Sequence, residues 1–91
     1  MAIKVRIPSP LRQFTDGADA LQLEGDSVGA VLQQLTGRAA GIDRRLFKAP
    51  GELNRFVNVY VNDEDIRFLQ NLQTPLKSGD EVSIIPAIAG G

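Results

Sequence analysis

The chain has 91 residues, a net charge of −1 and no Cys, His or Trp. Those absences exclude disulfides, zinc sites built on thiolate or imidazole, and serine–histidine or cysteine–histidine nucleophile pairs. A length of this order allows one small domain that buries roughly 60–70% of its unfolded surface. With a pI near 5.2 the chain lacks the basic excess of nucleic-acid binders. The start, Met1-Ala2-Ile3-Lys4-Val5-Arg6, has no apolar signal region, and no apolar run approaches membrane-spanning length. The default expectation is a soluble cytoplasmic protein that needs neither nucleic acid nor membrane.

Ile3, Val5 and Ile7 alternate with Lys4 and Arg6, the period-two pattern of a half-buried strand, and Pro8 and Pro10 end it. Leu11 and Phe14 in the loop that follows are expected to cover one end of the core, and Asp16-Gly17 signals a turn. Leu21 and Leu23 alternate with Gln22 and Glu24, a second strand that pairs with the first as a long-looped hairpin.

Asp26-Ser27 supplies an N-cap from either residue. Val28, Val31, Leu32 and Leu35 follow at i, i+3, i+4, i+7, which predicts the one long amphipathic helix. Gly29 costs that helix about 1 kcal/mol relative to alanine, so packing must hold it. Gly37 is a candidate left-handed C-cap, the alternative being a helix that runs to Ala40.

Residues 42–47 read as a short helical turn with Arg44, Arg45 and Lys48 exposed, either a docking patch or a solvated loop, before Pro50-Gly51 breaks the chain. Phe56-Val57-Asn58-Val59-Tyr60-Val61 is the strongest predicted strand, with its valines inward. Asn62-Asp63-Glu64-Asp65 reads as a polar turn rather than a cation site, and Ile66-Arg67-Phe68 as a short returning strand. After a Ser78-Gly79-Asp80 turn, residues 81–85 form the last strand, Val82 and Ile84 on one face and Ser83 and Ile85 on the other.

This order predicts an α+β fold, one main helix across one face of a mixed sheet of four to five strands. The other face has no second helix. Phe56, Tyr60 and Ile85 project there with Ile88 nearby, a candidate partner-binding patch, unless the 40–53 loop folds over it. Beyond Pro86, which cannot donate to a ladder, Ala87-Ile88-Ala89-Gly90-Gly91 reads as a thin tail. The expected division is a domain over residues 1–86 and a tail over 87–91, with Ala89 and Gly90 slim enough to let the Gly91 carboxylate enter a narrow slot.

With Pro10-Leu11-Arg12-Gln13-Phe14-Thr15, Gly25-Asp26-Ser27-Val28-Gly29-Ala30-Val31, Val57-Asn58-Val59-Tyr60-Val61-Asn62, Gly79-Asp80-Glu81-Val82 and the Gly-Gly end, the chain resembles the ubiquitin-like β-grasp sulfur carriers of the MoaD/ThiS superfamily. The segment from Arg55 to Phe68 looks closest to the cysteine-biosynthetic, CysO type. The resemblance implies a carrier rather than an enzyme, with no catalytic residue, no metal and no cofactor of its own. Gly91 would be adenylated with ATP on an E1-like adenylating and sulfurylating enzyme, then converted to a thiocarboxylate. A pyridoxal-phosphate cysteine synthase would use the sulfur, and a zinc metalloprotease would release the product. Sister branches feed molybdopterin, thiamine thiazole or tRNA thiolation. Two other classes stay open, a ubiquitin-like protein modifier and a non-covalent interaction domain with an inert tail.

Overall fold

A computed structural model describes residues 2–49 and 51–86. Strand β1 (Ala2–Arg6) runs antiparallel to β2 (Ala20–Glu24), with Ile3 opposite Leu23 and Val5 opposite Leu21. A 3-10 helix at Ser9–Phe14 lies between them and buries Leu11. Helix α1 (Val28–Arg38) begins at Ser27, whose Oγ accepts the Ala30 N–H at 3.2 Å, which settles the N-cap between the two candidates. Its stripe of Val28, Val31, Leu32 and Leu35 is fully buried.

Gly37 lies inside α1, and its φ is not positive; the left-handed glycine is Gly41 (φ 95°). The expected C-cap is therefore displaced by a loop, because the Ala39 N–H still closes on Leu35 O at 2.9 Å. Gly29 answers to packing as expected. A Cβ there would stand 3.0 Å from the Leu72 carbonyl oxygen and 3.4 Å from Leu72 Cβ.

Helix α2 (Asp43–Leu46) leads into a separate ribbon of β3 (Phe47–Ala49) and β4 (Glu52–Leu53). Strand β5 (Val57–Val61) turns through Asn62 (φ 50°) and Asp63 (φ 74°) into β6 (Glu64–Asp65). Two successive positive φ values give the twist a tight hairpin needs. Strand β7 (Glu81–Pro86) closes the sheet, whose order is β2-β1-β7-β5-β6. It runs parallel to β1 and antiparallel to β5, so the last strand in the chain is the central strand of the sheet.

Strand limits differ from the sequence reading at several places. Glu64–Asp65, expected within the polar turn, pair with Val61 and Tyr60 as β6. Ile66–Phe68 is a 3-10 helix rather than a returning strand, because Asp65 accepts the Arg67 N–H at 2.8 Å and grips its guanidinium at 2.7 Å. That local cap outcompetes the ladder. Phe56 is not part of β5, because its N–H is taken by Asn54 Oδ1 at 3.0 Å.

The inward side chains of the sheet, among them Ile3, Val5, Leu23, Val59, Val82 and Ile84, meet the α1 stripe in one core. Ile42 and Leu46 close the same core, so the segment after α1 lies on the helix side. Among the described residues it leaves the outer sheet face uncovered, with Phe56 48% and Ile85 46% exposed.

Candidate functional site

Ala89, Gly90 and Gly91, together with Ile88 of the expected patch, lie outside the described residues. What the structure builds is the platform from which they depart. Asn62 N–H donates to Glu81 O at 2.9 Å, so odd positions of β7 bond toward β5 and even positions face β1. Strand β1 pairs with β7 only as far as Ser83. Pro86 therefore turns its missing donor to a side where no strand remains, and no ladder bond is lost. It is half-buried opposite Val57 and is the last residue of β7.

Around this exit the structure brings together three of the four expected patch residues. Ile85 pairs with Asn58, and Tyr60 pairs with Ser83, so Ile85 and Tyr60 share the outer face. Phe56 stands exposed at the head of β5, beside the Val57–Pro86 pair. Tyr60 is half-buried rather than open.

Sequence reasoning missed two cations at the same end. Arg55 lays its guanidinium 5.2 Å from the centroid of the Phe56 ring. Arg6, exposed and opposite Ser83, projects from β1 onto the face that carries Ile85. Period two placed Arg6 outward, but a lone arginine before a strand, as at position 55, carries no pattern of its own.

At the opposite end of β7 a polar clamp fixes the strand. Asp80 Oδ2 accepts the Lys77 N–H at 2.9 Å and Oδ1 accepts Asn62 Nδ2 at 3.0 Å, while Asn62 Oδ1 accepts the Glu81 N–H at 3.0 Å. The Lys77 amide and then the Asn62 side chain hold the Asp80 carboxyl below its ordinary range. Asp65 is likewise lowered, first by its side-chain hydrogen bond with Arg67. Of the three acids, Asp63 lies in the hairpin turn, Glu64 and Asp65 form β6, and Asp65 makes the arginine fork. No group of His, Cys, Asp and Glu able to hold a metal ion occurs among the described residues. No helix in them is long and apolar enough to cross a membrane.

A five-stranded mixed sheet with one main helix on one face, and its C-terminal strand in the middle, defines a ubiquitin-like β-grasp domain. The ThiS family profile matches residues 5–91, and the chain belongs to the ThiS family. It is 47% identical over 93 residues to the sulfur carrier protein CysO of Mycobacterium tuberculosis, with 100% of both chains covered. The crystal structure of the Amycolatopsis orientalis BexX/CysO complex matches at a TM-score of 0.91 and 44% identity, over 99% of this chain and 100% of that one. The crystal structure of Mycobacterium tuberculosis CysO matches at 0.88 and 45%, over 94% of this chain and 99% of that one.

Proposed function

We propose that this chain carries sulfur on its own C-terminus for cysteine biosynthesis. One observation carries the reading: the similarity to a named sulfur carrier spans the whole chain, terminal glycines included. The platform supports it, since the central strand brings Pro86, five residues before the terminus, to one end of a face with exposed apolar side chains.

In this reading a carboxylate oxygen of Gly91 attacks the α-phosphorus of ATP on an E1-like partner and pyrophosphate leaves. A sulfur nucleophile then displaces AMP, leaving a thiocarboxylate. Oxygen on a carboxylate is a poor leaving group, and the mixed anhydride removes that obstacle. The thiocarboxylate sulfur next bonds to the β-carbon of an activated serine on a pyridoxal-phosphate synthase as the serine's activating group departs. The Gly91 acyl group of the resulting thioester shifts from sulfur to the cysteine nitrogen, and a zinc metalloprotease hydrolyses that amide to free cysteine and the Gly91 carboxylate. ATP and pyridoxal phosphate belong to those partners. The chain contributes recognition through its sheet face and reach through residues 87–91, which span at most roughly 17 Å when extended. Docking the domain makes the transfer effectively intramolecular, an advantage of up to about 7–11 kcal/mol in ideal cases.

The intact mass of the protein isolated from its own cells tests the carrier role. Exchange of one terminal oxygen for sulfur is expected, and an unmodified terminus under sulfur demand counts against it. Incubating the thiocarboxylated chain with the synthase and an activated serine tests the branch. The expected product carries a cysteine mass at Gly91, whereas conjugates to other proteins on a blot would favour a modifier.

A further inference from the structure

We propose that the flank of α1, where Arg44 and Lys48 border an apolar groove, is a docking surface for a short, extended, acidic segment of a partner protein. The proposal is independent of the carrier reading. The groove lies on the helix side of the sheet, not on the outer face beside Pro86.

The groove has a volume of about 630 Å³, and α1 lines it with Gly29, Gln33 and Thr36. Those three recur at i, i+4 and i+7, a row on the flank of the helix beside its buried stripe. They span two turns, roughly 10 Å of helix, which is the length of about three residues of extended chain. Gly29 adds no side chain, so that end of the wall is bare backbone. Phe47 and Leu72, partly buried against the core, supply apolar lining. Gln33 is exposed, and its amide both donates and accepts, which matches a peptide unit.

The electrostatics select the charge of the occupant. Residues 38–55 hold five of the chain's ten cations against two acids, a net charge of +3, so the rest of the chain carries −4 within a total of −1. Three of the five are engaged elsewhere. Arg38 donates to Gln22 O at 3.2 Å, Arg45 lies 5.8 Å from the centroid of the Phe14 ring, and Arg55 lies against Phe56. Arg44 and Lys48 line the groove, and both are exposed. Arg44 makes no ion pair among the described residues. Lys48 meets Glu52 at 3.5 Å, with side chains 59% and 61% exposed. A pair that open to water is weak and yields to a better-placed acid. Asp43 is the one acid in the lining, and the two cations outnumber it. An apolar side chain between two acids thus meets Phe47 and Leu72 while its neighbours meet Arg44 and Lys48.

The test titrates the peptide Glu-Asp-Leu-Asp-Glu, capped at both ends, into the isotope-labelled full chain and follows backbone amide shifts by NMR. Saturable shifts are expected at Gly29, Gln33, Thr36 and Phe47, weakening as salt rises. R44E/K48E is expected to bind about tenfold more weakly, and E52Q, which releases Lys48, about twofold more tightly. Both variants should keep the wild-type melting temperature, since the exchanged side chains are exposed. The amide counterpart, Gln-Asn-Leu-Asn-Gln, is expected to give no saturable shift. The proposal is overturned by an absence of saturable shifts in wild type, by equal binding of the amide peptide, or by unchanged binding in R44E/K48E. Shifts confined to the outer sheet face overturn it too. Equal binding of ATP at the same residues would make the groove a general anion site and overturn the peptide assignment.

Discussion

Gly29 and Gly37 sit on the same helix and answer to different constraints. At Gly37 an added Cβ meets nothing within 4 Å, and the backbone there is ordinary helix. Gly37→Ala is expected to raise stability by about 0.5–1 kcal/mol in urea denaturation. At Gly29 the same methyl presses on the Leu72 carbonyl, in a turn that Thr74 fixes through its bonds to Gln70 N–H and Asn71 O. Gly29→Ala is therefore expected to lower stability despite the gain in helix propensity. Asp80 supplies a second test at this scale. Its pKa is depressed in the folded chain, so its contribution is full above the unfolded carboxyl value of about 3.9 and is lost as pH falls through the folded value. Asp80→Asn sets an amide against one of the two donors that converge there. It is expected to cost about 1–3 kcal/mol at neutral pH. Urea midpoints measured from pH 7 downward should show the gap to wild type narrowing below about pH 4.

At the scale of elements, regular periodicity was readable and local competition was not. The i, i+3, i+4, i+7 stripe of α1 and the alternation in β1, β2 and β7 all appear where residue spacing put them. Leu32, fully buried at the centre of that stripe, should lose about 2–5 kcal/mol on truncation to alanine, read from the denaturation midpoint. The misreadings fell where a side chain intercepts a backbone group. Asp65 captured the Arg67 amide and made a 3-10 turn of an apparent strand, and Asn54 captured the Phe56 amide. Such bonds depend on one rotamer, and a hydrophobic pattern does not register them. The uncovered outer face was undecidable until Ile42 and Leu46 were seen committed to the helix side. The edge strand β2 carries a feature no pattern announces. Gln34 Oε1 accepts the Glu24 N–H at 2.6 Å and Arg38 Nη1 donates to Gln22 O at 3.2 Å, so α1 seals an edge otherwise open to another chain.

At the scale of the whole molecule, the proposed carrier role assigns folding and carrying to different residues. The described core is complete by Pro86, so deleting Gly90 and Gly91 is expected to leave the melting temperature unchanged while abolishing adenylation. Circular dichroism and pyrophosphate exchange on the same sample check both halves. A lost fold would show that the terminus is structural, and retained adenylation would show that it is not the reactive end. The ladder around β7 has a mechanical corollary. A strand paired on both flanks yields to a pull along its axis only if it slides past β1 and β5 together, with both sets of hydrogen bonds resisting in shear rather than parting one at a time. Tension applied at Pro86 would therefore be borne by the middle of the sheet and not by an edge strand free to peel away.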